Sequence, residues 1–205
     1  GCRARCQPLT NFRVHVRNVP LADDVDLPRR IARRLALPLP GEAAQARFPP
    51  QLGHGRHFHE PPPWVRRAAV LLLIYPAVDG WHLPLALRPT HLSKHAGQVA
   101  LPGGSVERGE SPQAAALRET EEELGIPAEG IRLLGALSPL YLYVTEFAIL
   151  PYVGWIPDTP EFVPDPGEVQ EVIAAPLHTL AGDCCLVTHH GHGGQPGCSA
   201  PGIRL

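Results

Sequence analysis

The plainest pattern in the chain is the continuous apolar run Ala68-Ala69-Val70-Leu71-Leu72-Leu73-Ile74-Tyr75, which reads as a strand covered on both faces. The Asp79-Gly80 turn follows it, and Leu83–Arg88 makes a second strand, so the two predict a hairpin. Gln98–Leu101 is extended and runs into Pro102-Gly103-Gly104, and later strands are predicted at Ile131–Leu137, Phe147–Trp155 and Val169–Ala174. Between these lies one strongly signalled helix, Pro112–Leu124. Ser111 is placed to cap it, Pro112 suits its first turn, Gln113 to Leu117 have high helix propensity, and Gly125 supplies the left-handed stop. At 100° per residue, Glu119, Glu122 and Glu123 share a sector of roughly 100°, while Leu117, Thr120 and Leu124 form a separate face suited to a sheet. Upstream, Leu27, Ile31 and Leu35 recur at helical spacing within Leu27–Leu37, ahead of the breakers Pro38, Pro40 and Gly41. Residues 1–63 thus form an arm with one short helix and a Pro-rich extended segment, and residues 64–205 form the domain. The class is α/β.

Composition narrows the partners. With 205 residues, 44% hydrophobic and 19% charged, the chain suits a single globular domain. Eighteen Lys and Arg against 20 Asp and Glu leave a formal charge of −2, so there is no broad basic surface for a nucleic-acid backbone. The apolar run is far shorter than the roughly 18–20 residues that span a bilayer, and no export signal opens the chain, so no membrane partner and a cytoplasmic location are expected. Twenty-five Pro and 20 Gly predict long loops. Five cysteines, an odd number, argue for reduced thiols rather than a disulfide framework. Methionine is absent and the first residue is Gly1, so either terminus is expected to be trimmed.

Three carboxylates at i, i+3 and i+4 repel one another, by a few tenths of a kcal/mol per pair on an isolated helix. Alone, such a face reads as a solvated acidic surface; paired with a glycine loop at its start, it reads as a site for a hard cation such as Mg²⁺ or Mn²⁺. Leu101-Pro102-Gly103-Gly104 is that loop, and Glu110 and Arg118 stand in fixed register with the acid face. From Gly104 through Glu110 to Arg118-Glu119-Thr120-Glu121-Glu122-Glu123-Leu124-Gly125-Ile126, the chain resembles the 23-residue Nudix box, with Thr120 in a slot that is usually apolar. The resemblance implies an α/β/α sandwich with a mixed central sheet and hydrolysis of a diphosphate linked to another moiety. It also implies Glu119 and Glu123 as the main metal ligands, Glu122 as a ligand to a further ion or a positioner of water, and Arg118 as the residue that orients the glutamates. Glu110 would support the loop or metal hydration, and the backbone of Gly103 and Gly104 would add an acceptor or hold the loop to the helix.

Leu85 to Gly104, with its Arg…His-x-Gly-Gln…Pro-Gly-Gly order, resembles the extension that marks the coenzyme A diphosphohydrolase branch of these enzymes, with Ala86 and Leu101 as departures. By that resemblance Arg88, Lys94, His95 and Gln98 face phosphate or adenine groups of the substrate. The expected reaction cleaves coenzyme A or its thioesters to 3′,5′-ADP and 4′-phosphopantetheine or its acyl form. The alternatives are another nucleoside diphosphate derivative, such as ADP-ribose or a nucleoside triphosphate, and a non-catalytic nucleotide-binding module, which would be expected to lose box glutamates. Leu39 to Gln45 also resembles an N-terminal segment of some relatives in this branch. Glu168, at a loop-to-strand junction, is either a further base or metal carboxylate or a plain surface group. Cys184, Cys185, His189, His190, His192 and Cys198 match no regular zinc spacing and read as a loop. Tyr141, Tyr143 and Phe147 read as packing aromatics in preference to ligand stackers. The resemblance further implies a C-terminal helix opposite the box helix, which residues 64–205 are expected to lack. An exposed apolar sheet face, aggregation and poor activity would follow unless the N-terminal arm covers that face.

Overall fold

The computed structural model describes residues 25–45, 61–93, 95–142, 145–180, 186–190 and 199–203, the last two stretches as backbone. The apolar run lies within the longest strand, β1 (Arg66–Ala77), and the Asp79-Gly80 turn leads into β2 (Gly80–Leu87) as a hairpin, with Ala77 opposite Gly80. Strands β3 (Val99–Ala100) and β4 (Gly103–Ser105) follow, then helix α3 (Pro112–Leu124), β5 (Arg132–Ala136), β6 (Leu140–Leu142), β7 (Phe147–Trp155) and β8 (Glu171–Pro176). Two short helices precede the sheet, α1 (Leu27–Leu35) and α2 (Glu42–Gln45); a third, α4 (Leu177–Leu180), follows β8. The backbone of β9 (Leu186–His190) and β10 (Ser199–Ile203) makes a separate antiparallel pair.

The sheet is mixed. β1 runs parallel to β7 over nine residue pairs, Arg66↔Phe147 to Ile74↔Trp155. Its other edge is shared: β4 pairs antiparallel with Ala68 to Val70, and β2 with Tyr75 to Ala77. β2 then leaves β1 and carries β8 and β3, while β7 carries β5 and β6. Because β1 alternates, Ala69, Leu71, Leu73 and Tyr75 point to one face and pack with Ala115, Ala116 and Leu124 of α3. Leu71 and Leu73 are wholly buried, so truncation of either to Ala should cost about 2–5 kcal/mol. Ile74 points the other way, into a cluster with Leu27 and Trp81 that Ile31 of α1 and Leu177 of α4 extend.

The layering agrees with the α/β/α sandwich that the resemblance implied, and α1 packs on the second sheet face through Leu27 and Ile31. The helix α1 is two residues shorter than its apolar spacing suggested, since Ala36 is the C-cap. Three strands were not legible beforehand: β4, β6 and β9, the last being the backbone of Leu186–His190, which lies in a stretch read as loop and is a strand because it pairs with β10. β4 falls on Gly103-Gly104-Ser105, which read as loop, and exists because β1 offers it an edge. β6 is three residues long and, among the described residues, pairs only with β7. The strand expected at Val169–Ala174 begins two residues later, with Val169 itself buried in the preceding turn.

Candidate active site

The helix α3 forms where its punctuation put it. Ser111 Oγ accepts the Ala114 N–H at 3.2 Å, and Gly125 closes the helix at φ 70° with its N–H donating to the Glu121 carbonyl. Thr120 is fully buried on the sheet side, and its hydroxyl donates to the Ala116 carbonyl at 2.7 Å. That bond explains how a polar residue fills an apolar slot: its only hydroxyl proton is satisfied within the helix. The opposite face carries Glu119, Glu122 and Glu123.

Arg118 organises this face. Its Nε and Nη2 donate to the two carboxylate oxygens of Glu110 at 3.0 and 3.2 Å, a fork-to-fork pair. Nη1 donates to Glu119 Oε1 and to Glu122 Oε2, both at 2.9 Å, and Nη2 also reaches the Ser105 carbonyl at 3.2 Å. One guanidinium thus joins the start of the loop to three carboxylates. The Arg118 hydrogen bonds, and after them the Glu107 N–H, hold the Glu110 carboxyl below its usual range. The same Glu110 bond is the largest cause of the upward shift of Arg118 itself.

Glu123 is placed differently. Only 4% of its side chain is exposed, its Oε2 accepts the Gly103 N–H at 3.0 Å, and its Oε1 lies 3.7 Å from Nη1 of Arg88. Burial, reinforced by repulsion from Glu119 and Glu168, raises its pKa to about 7 against the opposing pull of Gly103 and Arg88. Burial also raises Glu119, against the opposing Arg118 bond, with Glu122 and Glu168 adding repulsion. Glu168 is exposed, yet its charge is felt by both half-buried Glu119 and buried Glu123. The intervening chain brings it there: Val163 N–H donates to the Leu124 carbonyl, Asp165 N–H to the Glu123 carbonyl, and Glu168 N–H to the Asp165 carbonyl.

The two glycines of β4 fit tightly between strand and helix. A Cβ at Gly103, whose φ is 150°, would meet the Ala69 carbonyl and Val70; one at Gly104 would meet the Glu119 carboxylate. Gly103 therefore serves Glu123 through its N–H, and Gly104 makes room for Glu119.

Of the upstream residues, Arg88 joins the acid face. His95 and Gln98 are exposed and bond each other, Nδ1 to Oε1 at 3.0 Å. His95 sits at φ 55°. The loop between β2 and β3 is closed by Arg88 N–H to the Gln98 carbonyl at 2.9 Å and Gly97 N–H to the Arg88 carbonyl at 3.1 Å. Lys94, Tyr143, Cys184, Cys185, His192 and Cys198, and the side chains of His189 and His190, lie outside the described residues. Tyr141 is half-buried on β6, and Phe147 lies under Arg66, whose Cζ is 4.1 Å from the ring centre. Sequence reasoning missed the Ser105 carbonyl, the Glu107 N–H and the direct Arg88–Glu123 pair.

Among the described residues no three Asp, Glu, His or Cys side chains converge on one point. Glu119 and Glu122 are turned to Arg118, and Glu123 to Gly103. The donor set nonetheless fits a hard divalent cation by its chemistry: carboxylate oxygens only, more negative than positive charge, and a buried carboxyl whose charged form is short of compensation. A separate cavity of about 410 Å³, lined by Val25, Asp26, Pro28, Arg29, Arg132 and Trp155, lies on the α1 side of the sheet and holds none of these groups.

The family model for the NUDIX domain matches residues 65–184. An uncharacterized Nudix hydrolase, NudL, of Citrobacter koseri is 43% identical over 114 residues, covering 55% of this chain and 58% of that protein. NudL of Pectobacterium atrosepticum is 40% identical over 136 residues, 65% of each chain. The chain thus spans less than two thirds of the length of these relatives. Among solved structures, RenU, a Nudix hydrolase from M. smegmatis, aligns with a TM-score of 0.48 at 26% identity, covering 56% of this chain and 72% of that one. Among the described residues no helix is long and apolar enough to cross a membrane.

Proposed function

Because the chain belongs to the NUDIX family, whose model spans more than half of its length, we propose that it is a metal-dependent diphosphohydrolase. Its substrate is coenzyme A or acyl-coenzyme A, and its products are 3′,5′-ADP and 4′-phosphopantetheine or the acyl form. Glu119 and Glu123, with Glu122, hold the Mg²⁺ or Mn²⁺. When bound, such a cation neutralises charge on phosphoryl oxygens and lowers the pKa of water. Arg118 keeps Glu119 and Glu122 in register, and Gly103 N–H keeps Glu123 facing the loop. Glu168, exposed and close enough for its charge to act on Glu119 and Glu123, is the carboxylate free to accept the proton of the attacking water. Arg88, Lys94, His95 and Gln98 bind the substrate's anionic and adenine groups.

One observation carries the substrate reading: the segment that resembles the coenzyme A branch meets the acid face at both of its ends, with Arg88 near Glu123 and Gly103 bonded to the same carboxylate. The departure at Ala86 bears on packing, since Ala86 is 3% exposed and belongs to the core around Leu71 and Leu73. The test is product analysis with coenzyme A, ADP-ribose and a nucleoside triphosphate at fixed Mg²⁺. Release of 3′,5′-ADP from coenzyme A is expected. Turnover of ADP-ribose with none of coenzyme A would overturn the substrate and leave the hydrolase.

A further inference from the structure

Two guanidinium groups serve the acid face, and they are used very differently. The nitrogens of Arg118 bond three carboxylates and one carbonyl. Arg88 is held by its backbone on both sides, to Gln98 and Gly97, yet its side chain is underused. Nη1 stands 3.7 Å from Glu123 Oε1, beyond the roughly 2.7–2.9 Å of a charge-assisted hydrogen bond. Its Nε is buried and has no partner. A buried N–H without an acceptor is costly, and in native proteins it calls for a specific reason. The carboxylate opposite is equally incomplete, with one neutral donor from Gly103 and one distant cation.

We propose that Arg88 is a stand-in counter-ion for Glu123: it compensates the carboxylate while no divalent cation is bound, a cation at Glu123 competes with it, and the released guanidinium donates to an anionic phosphoryl oxygen of the substrate. This deepens the reading above and rests on Glu123 being a metal ligand. Arg88 therefore opposes cation binding and favours substrate binding, two effects of opposite sign that packing alone would not produce. It is a positioning residue in the metal-free state and a specificity residue in the loaded one.

The test uses Arg88→Gln and Arg88→Lys in the full chain, with Mn²⁺ titrated calorimetrically in the absence of substrate. Arg88→Gln should bind Mn²⁺ on the order of tenfold more tightly than wild type, equivalent to about 1.4 kcal/mol. Arg88→Lys, which keeps the charge, should stay within about threefold. Melting supplies a second readout: without cation Arg88→Gln should melt below wild type, and saturating Mn²⁺ should close the gap. At saturating Mn²⁺ its KM for the diphosphate that the wild type turns over should rise on the order of tenfold. Unchanged or weaker Mn²⁺ binding in Arg88→Gln, or a melting gap indifferent to Mn²⁺, would overturn the proposal. An Arg88→Gln chain that folds only with Mn²⁺ would support it, and one that folds under neither condition would overturn it. A wild-type chain that binds no Mn²⁺ would instead remove the metal reading beneath it, before any variant is compared.

Discussion

Adjacent glycines at 103 and 104 should respond to the same substitution in opposite ways. An alanine Cβ at Gly103 meets the backbone of β1, at the Ala69 carbonyl and Val70 Cα, where neither partner can turn aside. The φ of 150° adds strain that an L side chain rarely accepts. Overpacking of about 1–3 kcal/mol and backbone strain of about 1–3 kcal/mol combine to roughly 2–6 kcal/mol. For a chain of this size that lowers Tm by roughly 4–24 °C. At Gly104 the obstacle is the end of the Glu119 side chain, which can move. Gly104→Ala should therefore keep stability within about 1 kcal/mol while pulling Glu119 off Arg118 and cutting kcat by roughly 10–100-fold, the usual range for disturbing a metal ligand's support. Thermal melts and turnover of the two variants in parallel decide it. A Gly104→Ala chain that loses as much Tm as Gly103→Ala but keeps wild-type kcat would refute the assignment of Gly104 to the site.

Three further outcomes follow from the same geometry. In the unfolded chain Glu123 gives up its proton near its ordinary value of 4.5, and in the metal-free fold at about 7. Between those values the fold holds a proton the unfolded chain lacks, so stability should fall as pH rises from about 5 to 7.5, by at most about 3 kcal/mol. Metal-free melts should show this slope, and Glu123→Gln should flatten it. Arg118→Lys keeps the charge but loses the fork to Glu110, so kcat should drop at least roughly tenfold with Tm lowered, and a turnover assay showing wild-type kcat would contradict the clamp. Ser111→Ala removes the α3 cap and should cost about 1 kcal/mol in denaturant unfolding with kcat unchanged.

What could be read from sequence depended on how local the cause was. The α3 helix is bounded at Pro112 and Leu124 as expected, because Ser111, Pro112 and Gly125 are cues carried by the chain itself. The strand β7 matches its expected span, Phe147–Trp155, for a similar reason, being a long apolar run. Gly103-Gly104 carries no such cue, and its strand exists only through pairing with Ala69 and Val70, more than thirty residues away. The site divides along the same line. Glu119, Glu122 and Glu123 share a face by helical arithmetic, and Arg118 reaches Glu122 across one turn. The approach of Arg88 to Glu123, and of Glu168 to Glu119 and Glu123, depends on how β2 and the 163–169 loop close over α3. The expected contact of His95 with substrate meets a different local fact, its bond to Gln98.

The proposed function requires the acid face of α3 to bind the cation that hydrolysis uses, with Glu123 as the buried ligand. The most direct measurement of this is a Mn²⁺ titration of wild type and Glu123→Gln, each paired with diphosphate turnover at the same Mn²⁺ concentrations. Wild-type activity should appear as the cation binds, and Glu123→Gln should stay folded while losing both tight Mn²⁺ binding and kcat by orders of magnitude. Wild-type Mn²⁺ affinity and near-full turnover in Glu123→Gln would contradict this requirement.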